Sequence, residues 1–155
     1  MVYKGIDFSL FFQGVSGLEV YNLNRRYEEN AFGDFTFTNK IKDGWTPENS
    51  SNTQPRVIYG DPNKNLTTSS SYFVEDGDYF RLKTLVIGYT FPHAWLTKIS
   101  MESLRIYANI QNVFTITQYS GLDPENGSGG NTDRILDEGF FPQSRTFQFG
   151  LNVGF

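Results

Sequence analysis

The sequence predicts an all-β fold made of antiparallel strands, and three observations support that prediction. Four stretches of the 155-residue chain alternate apolar residues with polar or small ones, which is the period of a strand whose two faces differ. Aromatic residues make up 17% of the chain, and aromatic side chains favour pleated β surfaces. The connections between the four stretches are long, short and long, and the long ones are rich in turn-forming residues.

The first predicted strand is YKGIDFSLFFQ, residues 3–13. One of its faces consists of Lys4, Ile6, Phe8, Leu10 and Phe12, and the other of Gly5, Asp7, Ser9 and Gln13. The segment of about residues 14–70 lacks sustained alternation and is rich in Asn, Pro, Ser, Thr and Gly, so we expect a long loop there. Within that loop, NLNRRYEENAF predicts a short helix.

The second predicted strand is YFRLKTLVIGYTF, residues 79–91, and it ends at Pro92, which cannot donate to a ladder. A connection over 92–103, with one helical turn, leads to the third strand, LRIYANIQNVFT at 104–115. A second long loop at 116–143 contains GLDPENGSGGNTD, a stretch whose glycines and Asx residues are not expected to support regular structure. The chain closes with RTFQFGLNVGF, residues 145–155, as the fourth strand.

Composition excludes several functional classes. The net charge is -4, so the chain lacks the basic surface that nucleic-acid binding requires, and we expect no nucleic-acid partner. There is no cysteine and one histidine, and no nucleophile-base pair or phosphate loop is visible, so we expect no cofactor, no metal site and no enzymatic activity. The acidic residues of the second loop do not match the spacing of a calcium-binding loop, and a solvated loop is the expectation for Asp123, Glu125, Asp133, Asp137 and Glu138.

The alternation fits either a soluble β-sandwich or the wall of a transmembrane barrel, because both present one apolar and one polar face. The predicted polar faces are rich in Gly, Asn, Gln, Thr and Tyr but poor in the Lys and Glu that cover a solvated sheet, which favours a barrel lumen. Alternating long and short connections favour the same choice. About four strands cannot close a barrel, so the chain would be part of a larger one.

Several motifs resemble segments of SusC/RagA-type TonB-dependent outer-membrane transporters, in the same order. They are YKGIDFSLFFQG, WTPENSSNTQPR, DGDYFRLKTLVIGYTFP, LRIYANIQNVFTIT, YSGLDPE and FFPQSRTFQFGLNVGF. The resemblance implies that residues 1–155 are the C-terminal part of the receptor's β-barrel domain, about the last four strands of a barrel of about 22 strands. The plug domain and the earlier strands would be absent, the long connections would be external loops, and PHAWLTKIS would be a short periplasmic turn.

The resemblance also implies function and partners. Such transporters import oligosaccharides or peptides across the outer membrane of Gram-negative bacteria, usually with a SusD-like surface lipoprotein as a lid. TonB would act through the missing N-terminal region. Further expected partners are outer-membrane lipid and the barrel assembly machinery. The terminal strand corresponds to the assembly signal read by that machinery, which assigns Phe147, Phe149, Leu151, Val153 and Phe155 to it.

Three aromatic residues in or beside the long loops, Trp45, Tyr72 and Tyr119, are candidates for stacking on sugar rings, with packing inside the loops as the alternative. On the polar face of the third strand, Arg105 is expected to form an ion pair within the wall, with contact to substrate or the plug as the alternative. Gly88 and Gly150, on the polar faces of their strands, are expected to mark either a close approach or a bend in the strand.

The competing hypothesis is a secreted or periplasmic carbohydrate-binding β-sandwich module, in which the loop aromatics hold the sugar. A second sheet would then cover the apolar face. In the barrel hypothesis, by contrast, the apolar side chains of Phe8, Leu10, Ile87, Ile106 and Phe149 stay exposed on the isolated chain.

Overall fold

A computed structural model describes residues 2–29, 38–65, 67–97, 100–128 and 134–155. The chain divides into two units. The sheet unit comprises Met1–Ser16, Tyr79–Thr117 and Gln143–Phe155, and the loop unit comprises Gly17–Asp78 and Gln118–Pro142. The regular elements are β1 (Val2–Tyr3), β2 (Ile6–Val15), β3 (Glu19–Asn22), α1 (Leu23–Glu28), two 3₁₀ helices (Asn39–Asp43 and Ser71–Phe73), β4 (Val74–Asp76), β5 (Tyr79–Thr90), α2 (His93–Leu96), β6 (Ser103–Thr117), β7 (Arg134–Asp137) and β8 (Thr146–Gly154).

The sheet unit is one antiparallel sheet with the strand order β1-β2-β5-β6-β8. The four long strands are those predicted from alternation, with ends that differ by a few residues. Val15, Tyr79 and Thr117 share one end of the sheet by register, and the two long connections start or finish there. The short connection with α2 joins β5 to β6 at the other end, as predicted.

Cross-strand register places the predicted apolar residues on a single face. Phe8, Ile87, Ala108 and Phe149 form one row across the four long strands, and neighbouring rows continue the same face. The reverse face carries the predicted polar and small residues, because side chains alternate along every strand.

The start of the first predicted strand is a correction. Lys4 and Gly5 do not continue the strand but form the two-residue turn of a hairpin in which Tyr3 pairs with Ile6. Both turn residues have positive φ, at 48° and 87°, as a type I′ hairpin turn requires. Lys4 therefore does not share the face of Ile6. The alternation of residue types at positions 3–6 predicted a continuous strand where the chain makes a turn.

The central strands carry an irregularity in their pairing. The register shifts between Leu82 and Thr84 on β5, and Asn112 on β6 has a positive φ of 52°. A β-bulge of this kind leaves extra residues unpaired and increases the local twist. The Asn112 amide donates to the carbonyl of Ser144 at 2.9 Å, which ties the irregular position to the segment that enters β8.

The loop unit contains a second, smaller sheet with the order β4-β3-β7, in which β3 and β7 are parallel. β7 lies in the second long loop, directly after the stretch GLDPENGSGGNTD, so the loop contains a short strand that the sequence did not predict. Residues 129–133 of that stretch lie outside the described residues. Val20 and Phe73 are fully buried and form the centre of this unit. The predicted short helix is present as α1, where the Asn22 side chain accepts the amide of Arg25 at 3.0 Å as an N-cap.

Within the described ranges, no helix has the length and apolar character needed to cross a membrane.

Candidate functional site

The apolar face of the sheet is exposed over its whole width. The five residues expected to stay exposed do so: Phe8 is 41% exposed, Leu10 44%, Ile87 49%, Ile106 47% and Phe149 82%. A shallow hollow of 620 Å³ on this sheet is lined almost entirely by apolar surface, including Ile87, Ile106 and Leu151. Soluble monomers rarely expose a continuous apolar surface across several strands, and such a surface suits hydrocarbon better than a polar ligand.

The polar face is built around an ion pair between nonadjacent strands. Arg105 on β6 donates from Nε to Asp7 Oδ1 at 3.0 Å and from Nη2 to Oδ2 at 2.6 Å, so the contact with the carboxylate of β2 is bidentate. The predicted ion pair of Arg105 is thereby confirmed, and its partner is Asp7. A signal for that partner was present in the sequence, because the predicted polar faces contain one carboxylate and one guanidinium.

Two glycines make room for these side chains. A Cβ atom added to Gly88 of β5 would lie 2.6 Å from Asp7 Oδ1 and would also collide with the Arg105 guanidinium. A Cβ added to Gly150 of β8 would lie 2.6 Å from Cε1 of Tyr107. Of the two alternatives for these glycines, a close approach or a bend in the strand, the structure shows a close approach at both. A neutral pair continues the polar face, since the Asn109 amide donates to the Gln148 carbonyl at 2.8 Å.

The residues of the predicted assembly signal lie along β8. Phe147, Phe149 and Leu151 are 59%, 82% and 65% exposed, and Val153 is half-buried. Phe155 follows the strand and is 83% exposed. In the part of the chain that the structure describes, β8 pairs with β6 on one side only, so it is an edge strand of this sheet. The assignment of these residues as an assembly signal stays a prediction.

The loop unit is organised by the buried carboxylate of Glu29, which sequence reasoning missed. Its side chain is 2% exposed and accepts four hydrogen bonds. The donors are Arg25 Nε at 2.8 Å, Lys40 Nζ at 2.9 Å, the Tyr72 hydroxyl at 2.7 Å and Gln54 Nε2 at 3.2 Å. Burial alone would raise the pKa of the Glu29 carboxyl, but these donors together hold it below the usual value. The spacing of Arg25 and Glu29, four residues apart across the end of α1, was the available signal.

A second carboxylate, Glu75 on β4, connects β3 with the segment after β6. It accepts the amide of Ser120 at 3.0 Å and its hydroxyl at 2.9 Å, and the Asn22 amide at 3.2 Å. Burial alone would raise the pKa of Glu75. The hydrogen bonds from Ser120, together with Arg25 and Asn22, outweigh burial and hold the pKa below its usual value. The long loop is thus held by specific polar contacts between distant segments.

The three predicted loop aromatics have different surroundings. Tyr72 is half-buried, with its hydroxyl on Glu29 and the Arg25 guanidinium 4.2 Å from its ring centroid. Tyr119 is 6% exposed and donates to Asp137 at 2.5 Å, and burial together with this carboxylate raises its pKa. Both rings therefore pack within the loop unit. Trp45 is 38% exposed and lines a cavity of 390 Å³ with polar side chains that include Lys42 and Arg56.

The described residues hold no group of three or more histidine or acidic side chains arranged to bind a metal ion. The expectation of a solvated acidic loop is wrong for Asp123 and Asp137, which are 4% and 2% exposed. The Asp137 carboxylate accepts the amide of Gly139 at 2.9 Å as well as the Tyr119 hydroxyl. Asp133 lies outside the described residues.

Comparison with known proteins identifies the relatives of this chain. No protein-family model matches it. TonB-dependent receptors P3 and P26 of Formosa agariphila are 38% and 35% identical, each over 99% of this chain. TonB-dependent receptor SusC of Bacteroides thetaiotaomicron is 29% identical over the whole chain. The chain spans only 15%, 16% and 14% of the lengths of these three relatives.

Solved structures share the fold. A chain of the RagAB peptide transporter superposes with a TM-score of 0.83 at 22% identity, and the match covers 99% of this chain and 16% of that one. The RagAB peptide importer in its closed-closed state gives a TM-score of 0.81 at 24% identity over the same share of each chain. The fold of this chain is therefore one already seen within much longer chains of solved structures.

Fold and relatives together define the class: over almost its whole length, the chain is similar to a short part of TonB-dependent receptors. SusC and the RagAB transporter are among the proteins that it matches, which confirms the SusC/RagA-type resemblance recognised in its motifs.

Proposed function

We propose that this chain is part of an outer-membrane, TonB-dependent nutrient importer for oligosaccharides or peptides in a Gram-negative bacterium. The sheet unit forms barrel wall, the two long connections form external loops, and the end of the chain, including β8, acts as the C-terminal assembly signal. The single observation that carries the proposal is the opposite chemistry of the two sheet faces, one exposed and apolar and the other centred on the Arg105–Asp7 pair.

A membrane gives each face a suitable environment. Side chains such as Ile87 and Phe149 would contact hydrocarbon, where their exposure is favourable rather than costly. The ion pair between Asp7 and Arg105 would face the aqueous lumen, which agrees with the partial exposure of both side chains at 27% and 29%. The sheet has free edges, and unpaired backbone groups in lipid are costly, so neighbouring strands of a longer chain would complete it.

The placement of the connections supports the orientation. The long connections meet the sheet at the end marked by Val15, Tyr79 and Thr117, and the short connection lies at the opposite end. Outer-membrane barrels have long external loops and short periplasmic turns. We therefore place the loop unit, with Trp45 and its cavity, on the external side, and α2 on the periplasmic side.

Partners follow from the relatives. SusC and the RagAB complex support a SusD-like surface lipoprotein as a partner, with oligosaccharide or peptide as cargo. TonB would reach the receptor through a segment outside this chain. The barrel assembly machinery would bind β8, since an edge strand can add to an open sheet through backbone hydrogen bonds.

The competing sandwich module receives no comparable support. In a sandwich, a second sheet covers the apolar face and water contacts the polar one. Here Phe149 and Leu151 remain 82% and 65% exposed, and no described segment covers them. The proposed carbohydrate-stacking role is kept for Trp45 as a loop residue of the transporter.

Single cysteines test which environment each face contacts. These 155 residues contain no cysteine, so Phe149→Cys and Gln148→Cys can be introduced one at a time into a full-length receptor from which any cysteines elsewhere have been removed. A fluorophore at position 149 is expected to be quenched by brominated lipid, and a membrane-impermeant maleimide is expected to label position 148. Equal aqueous labelling at both positions would contradict the proposed wall.

Cargo is tested separately. Deleting the receptor gene should abolish growth on one class of polymer, oligosaccharide or peptide, while growth on its monomers is retained. The variant Trp45→Ala should weaken uptake if the cavity beside Trp45 contacts cargo, whereas Trp95→Ala, an equally bulky change at an exposed residue of the short connection, should not. Normal growth on both polymer classes after deletion would contradict nutrient import.

A further inference from the structure

The polar face contains a repeated arrangement of large side chains and glycines. One cross-strand row runs Asp7, Gly88, Tyr107, Gly150 over the strands β2, β5, β6 and β8. Residues with a side chain and glycines, which have none, therefore alternate across the four strands. The side chains of Arg105 and Asp7 occupy the space above Gly88, and the side chain of Tyr107 occupies the space above Gly150.

Two side chains of β6 reach in opposite directions from this row. Arg105 extends over Gly88 of β5 to the Asp7 carboxylate of β2, at 2.6 and 3.0 Å. Tyr107 extends over Gly150 of β8, where its ring occupies the position of the missing side chain. The guanidinium carbon of Arg105 also lies 5.2 Å from the Tyr107 ring centroid. The side chains of Arg105 and Tyr107 thus connect β6 with β2, β5 and β8.

We propose that this arrangement, the β2–β8 register lock formed by Asp7, Arg105, Tyr107, Gly88 and Gly150, selects the pairing register of the four strands. Backbone hydrogen bonds do not select it by themselves, because a ladder shifted by two residues keeps its bonds and the same faces. The side chains do distinguish the shifted ladders.

On β5, a shift of two residues would place Val86 or Thr90 where Gly88 now lies. Either side chain would occupy the path of Arg105 to Asp7, as an added Cβ at Gly88 already would. On β8, the same shift would place Gln148 or Asn152 under the Tyr107 ring. A shift of one residue would move the charged groups to the apolar face, which is more costly still.

The register lock predicts that the effect of replacing Gly88 depends on the neighbouring side chains. If glycine were needed only for its backbone conformation, the effect would not depend on them. Gly88 does not have a positive φ, so alanine is compatible with the backbone there and should be harmful only while Arg105 and Asp7 occupy the space. Gly88→Ala should therefore destabilise the wild-type receptor and have little effect in the Asp7→Ala/Arg105→Ala background, which leaves no charge unpaired. In the same way, Gly150→Ala should destabilise the receptor while Tyr107 is present and have little effect in the Tyr107→Ala background.

The experiment uses the full-length receptor and the temperature at which its folded, fast-migrating band disappears in electrophoresis. Gly88→Ala alone is expected to lower that temperature by several degrees, and by less than half as much in the Asp7→Ala/Arg105→Ala background. Asn109→Ala, which breaks a neutral cross-strand bond on the same face, is the matched control and should shift it less than Arg105→Ala. Where a variant does not reach the membrane, refolding into detergent micelles supplies the same measurement.

Register itself is measured with a disulfide. Ser9 and Val86 lie directly opposite each other, so Ser9→Cys and Val86→Cys should cross-link efficiently in the wild-type background and at least twofold less with Gly88→Ala. Equal losses from Gly88→Ala with and without the ion pair, or unchanged cross-linking, would overturn the lock. These readouts do not depend on cargo, so a receptor that fails to import nutrient but shows this coupling would contradict the proposed function alone.

Discussion

Tyr72 and Glu29 lie 43 positions apart in the sequence, and the Tyr72 hydroxyl donates a hydrogen bond of 2.7 Å to the Glu29 carboxylate. The same carboxylate accepts Arg25 and Lys40, so the end of α1, the first 3₁₀ helix and the second one all meet at one buried acid. The long loop is therefore an ordered structure whose geometry depends on a few charged contacts. Several of the predictions below concern these contacts.

Glu29→Ala should open the loop unit. The substitution removes the acceptor of Lys40 and of the Tyr72 hydroxyl and one acceptor of Arg25, which keeps Glu75 at 3.4 Å. Loss of a hydrogen bond to a charged group costs about 1.5–3 kcal/mol, and less at the exposed Lys40, where solvent screens the charge. Hydrogen exchange on the full-length receptor should show faster exchange over residues 22–29 and 70–76. Glu48→Ala removes an exposed carboxylate of the same unit and should leave exchange there unchanged, so equal effects of the two variants would contradict the central role of Glu29.

Tyr119→Phe should destabilise the contact between β7 and the segment after β6. The ring would remain packed, but the buried Asp137 would lose its 2.5 Å donor and keep the Gly139 amide. Loss of one hydrogen bond to a buried charge costs about 1.5–3 kcal/mol. Limited proteolysis within 118–142 should accelerate accordingly. Tyr59→Phe, at a tyrosine that is 81% exposed, is the matched control and should cleave like the wild type.

The loop unit should lose stability in acid. The pKa of Glu29 and that of Glu75 are both lowered in the folded chain, so the unfolded chain binds protons more readily. Their stabilising contribution is therefore complete above the ordinary carboxyl value of about 4.3 and is lost as the pH falls through the lowered values. Protease resistance of the loops should be constant from about pH 7 to 5 and fall towards about pH 3. Glu29→Gln should weaken this dependence, and a loss of resistance on raising the pH from 5 would contradict it.

Ile87→Arg should impair membrane insertion of the full-length receptor. A cation on the lipid-facing side of a barrel strand costs about 2–4 kcal/mol near the bilayer midplane. Asn109→Arg places the same cation on the opposite face of the neighbouring strand and should be tolerated. Recovery of each variant in the outer-membrane fraction measures the effect, and equal recovery would mean that Ile87 does not face lipid.

Phe155→Ala should reduce assembly, because the terminal aromatic is expected to be read together with the apolar face of β8. Phe155→Tyr keeps an aromatic ring and should assemble normally. Phe141→Ala removes another highly exposed aromatic, 92% exposed in the loop unit, and should have no effect on assembly. If deletion of Phe155 left outer-membrane insertion unchanged, the assembly-signal assignment would be wrong.

The long strands could be predicted because alternation is a local property of the sequence, and β2, β5, β6 and β8 each maintain it over most of their length. The short strands could not. β3 and β7 have four residues each and are defined by pairing between segments more than a hundred residues apart, which no local pattern expresses. The turn at Lys4 was not predicted for a related reason. Lys4 and Gly5 have positive φ and interrupt the strand, although the alternation of residue types in the sequence continues through them.

The candidate site also has features that the sequence predicted and features that it did not. That Arg105 would form an ion pair followed from its place on a polar face, where an unpaired charge is unfavourable. Its partner depends on strand order, since β2 and β6 become neighbours across β5 only when the sheet forms. Glu29 was missed because a lone carboxylate in a polar loop looks solvated until distant donors surround it. Trp45 and Tyr119 looked equivalent in the sequence, and only packing made one half-exposed and the other buried.

By itself, the sequence determined that this chain is antiparallel β structure with one apolar face, two long loops and the motifs of a SusC/RagA-type receptor, because periodicity and motif order are properties of the linear sequence. The tertiary structure alone decided which residues meet: Arg105 with Asp7 over Gly88, Tyr107 over Gly150, and Tyr72 with Glu29. Those contacts depend on strand register and loop closure, which are set by interactions between residues far apart in sequence.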